Sequence, residues 1–146
     1  MTLQATLRTT LEADVTLTGL LTGGIFDASE LPEDGLTPGM TNTPWDAYGV
    51  LQPCAVIRWR GQNPYGPHWD LGSERLFFEV YLYGARSSID SAADRLNVLL
   101  NAVIVVADSR NVRIKKAGGA LEIPTPELGN VNGRMLRFQA VRVQPG

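Results

Sequence analysis

The residues of this chain that could do chemistry are few and far apart. A serine or cysteine nucleophile needs a general base within hydrogen-bond reach, most often histidine, and the sequence holds one histidine, His68, and one cysteine, Cys54. His68 lies between Pro67 and Trp69 in an irregular stretch, and a lone loop imidazole without partners is an ordinary surface residue. Cys54 stands beside Ala55 and Val56 in an apolar run, the setting of a buried, inert thiol. Together they complete neither a catalytic dyad nor one of the usual zinc ligand sets. Asp27, Glu30, Glu33 and Asp34 gather carboxylates, but Pro32 interrupts them and the spacing is not that of a calcium loop. Gly19 to Gly24 is glycine-rich, yet it follows a helical pattern and no Gly-Lys-Ser/Thr comes after it, so it breaks elements rather than cradling phosphate. The expectation is no enzyme, no metal and no cofactor. Charge and aromatic surface remain as the means of action.

Charge is sorted along the chain. Residues 1–50 carry Glu12, Asp14, Asp27, Glu30, Glu33, Asp34 and Asp46 against Arg8 alone, whereas residues 110–146 carry Arg110, Arg113, Lys115, Lys116, Arg134, Arg137 and Arg142 against Glu122 and Glu127. If the two ends lie on different sides of the fold, copies can meet head to tail and close into a ring. The net charge is only −2, which argues against a nucleic-acid binder held by bulk charge. A basic inner wall touching phosphate backbone would be sequence-blind. With 146 residues, 44% hydrophobic, the chain suits one domain, residues 1–146, burying roughly 70% of its unfolded surface without disulfides. Met1 to Leu11 lack a signal-peptide pattern. The apolar stretch Leu96 to Ala107 is broken by Asn97 and Asn101 and falls short of the ~20 residues that cross a bilayer.

Leu3, Leu7 and Leu11 recur every fourth residue and predict a helix over about residues 2–14. Gly23-Gly24 ends regular structure before Ile25-Phe26. Cys54 to Arg60 alternates as a strand, with Ala55, Ile57 and Trp59 on one face. Residues 74–83 form the clearest strand, with Leu76, Phe78, Val80 and Leu82 on one side and Phe77, Glu79, Tyr81 and Tyr83 on the other. That second face is too aromatic for water alone. Ser87 and Asp90 have capping-box spacing before a second helix, whose β-branched end, Val103 to Val106, is expected to run out before Asp108. Val112 and Ile114 mark a third strand and residues 134–143 a fourth, with Asn132-Gly133 as a turn pair between them. The expected fold is an α+β two-layer sandwich: an antiparallel or mixed four-stranded sheet with two helices on one face. Long loops at 28–49, 61–72 and 117–133 need something to lean on, and a second copy is the economical candidate.

This order resembles the tail-terminator and tail-completion proteins of long-tailed bacteriophages. The similar parts are the leucine-striped helix leading to Gly23-Gly24-Ile25-Phe26-Asp27, then Leu31-Pro32, the strand Pro53-Cys54-Ala55-Val56-Ile57, and the strand Phe77 to Tyr83. The helix Ser88 to Val103 and a final hairpin ending in Leu136-Arg137-Phe138 complete them. The pattern spans nearly the whole chain without an invariant chemical motif, and the loops at 28–49 and 61–72 depart from the shorter members. The resemblance implies a virion protein of the neck, assembled in the host cytoplasm. It would form a ring, commonly hexameric, on the tail tube protein, stop tube polymerisation, and present a surface to the head connector or stopper protein. Its lumen would lie in non-specific proximity to phage DNA. It implies no catalytic site, cofactor or membrane. On this reading Phe77, Tyr81 and Tyr83 with Arg113 and Lys115 form the subunit interface, and loops carrying Trp45, Tyr65 and Trp69 dock tube or connector. A stopper or adaptor of the same neck is the nearest alternative, and a small monomeric binding module the alternative of another class.

Overall fold

The computed structural model describes residues 3–31, 45, 46, 48, 50–62, 75–107, 110–118, 121–123 and 131–142, with backbone alone at Arg60, Gly61, Gln62, Arg75, Arg110 and Arg142. The leucine stripe becomes α1 (Leu3–Glu12), with Leu3, Leu7 and Leu11 all buried. The Asp14 carboxylate accepts the Leu17 N–H at 2.8 Å and starts a short second helix, α2 (Val15–Leu20). Gly24, at φ +104°, opens β1 (Gly24–Asp27), a backbone angle that costs glycine little. Asp27 and Glu30 then close a capping box around the 3₁₀ turn Ala28–Glu30.

The remaining elements are β2 (Cys54–Gln62), β3 (Arg75–Gly84), α3 (Arg86–Leu100), β4 (Val103–Ala107), β5 (Arg110–Lys116), β6 (Leu121–Ile123) and β7 (Asn132–Arg142). They form a seven-stranded sheet in the order β1-β2-β3-β7-β5-β4, with β6 also on β7. Only β1 and β2 run parallel among the described pairs. β7 is the spine. β3 pairs with it from Arg75↔Val141 to Gly84↔Asn132, while β5 and β6 lie end to end along its other side. At the end of β3, Gly84 sits at φ +152° against Pro53, where an added Cβ would stand 2.9 Å from the proline Cα.

α3 packs over β3, β7 and β5, whereas α1 packs against β4 and reaches β1, so the sheet curls around its helices. The main core fills the concave side. Phe78 is fully buried between Trp59, 4.8 Å away between ring centroids, and Phe138, 5.4 Å away. Leu7, Leu11, Leu96 and Leu100 close over them from the helices.

The expected four-stranded, two-helix sandwich is thereby corrected to a curled seven-stranded mixed sheet with three short helices. Ile25-Phe26 pairs with Ala55-Val56 as β1. Val103 to Val106 is the strand β4 rather than the end of a helix, in keeping with its β-branched side chains. Residues 117–133 contain β6, and Asn132-Gly133 opens β7 opposite Gly84 and Tyr83 instead of forming a turn. α3 begins at Arg86 with Ala85 as an N-cap that lacks a side-chain cap, so Ser87 and Asp90 do not form the expected box.

Candidate docking surfaces

Strand alternation decides which side chains leave the core. Registers Val56↔Tyr81↔Met135, Arg58↔Glu79↔Arg137 and Phe77↔Gln139↔Lys115 place these residues on the face away from α3, and Ile104↔Arg113↔Val141 extends that face to the last strand. The outer face divides into three zones of different chemistry.

At the β1–β2–β3 end lies a second apolar cluster: Leu51, Cys54 and Val56 are buried, and Phe26, Leu31, Trp45, Tyr81, Tyr83 and Val131 pack on them. Tyr81 and Tyr83 stack with ring centroids 6.5 Å apart. Trp45 comes in on a turn tied by its bridge to Leu51 and by Asp46, which accepts the Tyr48 and Val50 N–H groups. The Trp45 indole N–H is buried without a hydrogen-bond partner. Desolvation pushes the Cys54 thiol up to about 12, so it stays protonated and unreactive at neutral pH.

The centre of the face holds a charged group beneath its surface. Glu79 is 2% exposed, accepts the Tyr81 hydroxyl at 2.8 Å and meets the Arg137 guanidinium at 3.0 Å. Beyond it, Arg58, Arg113 and Lys115 are exposed, and the Arg58 guanidinium lies 5.8 Å from the Tyr81 ring centre. The β4 margin is apolar, with Ile104 54% and Val106 63% exposed.

The structure thus places the five residues named for a subunit interface on one face but in separate zones. Tyr81 and Tyr83 belong to the chain's own second cluster, Phe77 is half-buried, and Arg113 and Lys115 are exposed on β5. Lys115 shares a cross-strand row with Phe77 through Gln139, whereas Tyr81 and Tyr83 lie toward the β6 end. Trp45 is half-buried in the second cluster, and Tyr65 and Trp69 fall outside the described residues. Sequence reasoning missed Arg58, Glu79 and Arg137, whose signal is the register across β2, β3 and β7, and Ile104 and Val106, which were hidden by reading β4 as helix.

Elsewhere several of the described acids are paired, while Asp94 on α3 is exposed. Asp14 meets Arg95 at 2.6 Å, and that hydrogen bond, followed by the Leu17 N–H, holds its carboxyl below the usual range. Glu12 and Glu30 share Arg8, Asp90 meets Arg134 at 2.5 Å, and Glu122 meets Arg86 at 3.4 Å. Among the described residues no three His, Cys, Asp or Glu side chains gather as a metal site, and no helix is long and apolar enough to cross a membrane.

No family model and no curated protein matches the sequence. Solved structures do match the fold. A chain from the virion of a native gene transfer agent particle superposes with a TM-score of 0.59 at 15% identity, covering 97% of this chain and 94% of that one. A second solved chain superposes with a TM-score of 0.54 at 12% identity, covering 98% of both. The curled sheet with its three helices is therefore an architecture shared over its full length with a virion protein chain.

Proposed function

We propose that this chain is a structural virion protein of a phage-like particle, and that within it the chain acts as a tail terminator. In this reading copies close into a ring, most simply a hexamer, on the last ring of tail tube protein, stop its polymerisation and offer the head connector a docking surface. The observation that carries the reading is the end-to-end fold likeness to a gene transfer agent virion chain, which accounts for the whole domain and not one motif. The outer face supports an assembly role. Its aromatic cluster gives a rigid platform, and the exposed Ile104 and Val106 stand on the terminal strand β4. A terminal strand presents unpaired backbone groups, and natural sheets blunt such strands with charge or proline unless they are to be covered. The role asks for no bond-making chemistry from His68 or Cys54.

Deleting the gene in a producing strain and imaging the particles by electron microscopy tests the assignment. A terminator leaves free heads beside tails of uncontrolled length. Tails of normal length beside unattached or leaking heads would reassign the chain as a stopper or adaptor. Unchanged infectious particles would remove it from the neck, and the monomeric binding module would then take precedence.

A further inference from the structure

Two exposed patches of this chain carry opposite charge and lie on opposite sides of it. The first is the β4/β5 margin of the outer face. Ile104 and Arg113 are cross-strand partners there, with Val106 to one side of the pair and Lys115 to the other, all four pointing away from the core. Ile104 and Val106 are more than half exposed, and Arg113 and Lys115 are exposed without an acid partner among the described residues. The second patch is on the helices. The buried stripe of α3, from Ile89 to Leu100, faces the sheet, so the stripe on its far side points away from it. Asp94 and Val98, neighbours four residues apart on that far stripe, are both exposed, Val98 by 65%. The bond from Arg95 to Asp14 sets the start of α2 beside them, and there Val15 is 83% exposed. The arginines around this side are already engaged: Arg8 by Glu12 and Glu30, Arg86 by Glu122, Arg95 by Asp14 and Arg134 by Asp90. Asp94 is left without a cation among the described residues.

We infer that the β4/β5 margin of one copy seats on the α2/α3 patch of the next, with Ile104 and Val106 against Val15 and Val98, and with Arg113 and Lys115 against Asp94. Charge decides both the occupant and the arrangement. Two margins related by a two-fold axis would set the same cations against each other, and two helix patches would set Asp94 against its own copy, whereas margin on helix patch brings each to its opposite. The exposed valines and isoleucine on the two sides leave water together in the same contact. Because the two surfaces differ and lie on opposite sides of one chain, every bound pair still has one of each free. Association therefore runs head to tail, and it either closes into a ring or grows. The sequence-level charge asymmetry left the mating surfaces unnamed; these residues name them and give the assembly a direction. That the closed product is a ring on a tail tube rests on the reading proposed above. The contact itself is measured on the isolated protein, so its failure is distinguishable from a failure seen in particles.

The test is cross-linking of the purified protein at high concentration with a short bismaleimide. Cys54 is fully buried and takes no part, and the two exposed positions used accept cysteine with little effect on folding. Val98→Cys/Ile104→Cys should give a ladder of dimers, trimers and larger species. A mixture of the two single variants should stop at dimers, and either single variant alone should stay monomeric. Adding Arg113→Glu to the double-cysteine chain should cut the ladder by more than about tenfold, since a like charge then faces Asp94. Adding Asp94→Arg as well should restore it, a rescue that a folding defect does not produce. No ladder from the double-cysteine chain would overturn the inference, as would a ladder indifferent to Arg113→Glu. Dimers from Ile104→Cys alone would overturn it in favour of two-fold pairing of β4 edges. A ladder with the charge-swap rescue would establish the contact, and if gene deletion then left particles unchanged, the contact would stand while the tail-terminator reading fell.

Discussion

At the scale of single residues, the ionised and thiol groups do structural work that solution measurements can read. Asp14 starts α2 and bonds to Arg95 on α3, 81 positions away, with two contacts of 2.9 and 2.6 Å. Because its folded-state pKa lies below the ordinary 3.8, the folded chain releases the proton more readily than the unfolded one. Its stabilising contribution is therefore complete above the carboxylate range and is lost as pH falls through the depressed folded value. Thermal melts from pH 7 to pH 3 should show Asp14→Asn less stable at pH 7 and less sensitive to acid, the two curves converging at the low end. Cys54 gives a second readout. With no exposed surface and its thiol held protonated, it should resist alkylation at pH 8 in the native protein and react fully in denaturant. Labelling of the native thiol at the denatured rate would contradict the second cluster.

Among the elements, the informative position is the junction between α3 and β4. Ala102 has φ +60°, a left-handed angle that disfavours any residue with a Cβ by about 1–2 kcal/mol. Ala102→Gly is thus expected to raise stability in urea by up to about 1 kcal/mol, with an unchanged m-value; a loss would show that the junction angle is relaxed. This junction also explains how the architecture eluded the sequence. Leucine periodicity in α1 and α3, and the alternation Leu76, Phe78, Val80, Leu82, declare themselves because one buried face sets each period. At residues 101–103 the chain turns from helix to strand in two residues without glycine or proline, so Val103 to Val106 continues an apolar run that both periods accommodate. β1 and β6 span four and three residues, too short for any period to show. The docking face was only half legible. Phe77, Tyr81 and Tyr83 announced an unusual second face, but whether a neighbour or the same chain covers them depended on the remote turn carrying Trp45. The Arg58–Glu79–Arg137 row needs three strands paired in register, which no local pattern encodes.

For the molecule as a whole, the exposed β4 margin makes the ring reading testable without disturbing the core. Ile104→Asp/Val106→Asp changes side chains that are more than half exposed, so the melting temperature should move little, while incorporation into particles should fall to background. Normal incorporation would shift the subunit contact elsewhere on the outer face. The topology sets a further condition, on synthesis. β7 joins the β1-β2-β3 block to the β5-β4 hairpin, yet it follows both in the chain. Until residues 132–142 leave the ribosome, the nascent polypeptide therefore holds two part-sheets with open edges and half-covered cores. Its folding is governed by long-range closure, which is slow and exposed to aggregation, and a stalled or truncated product lacking this strand would be a substrate for chaperones and proteases rather than a smaller working domain.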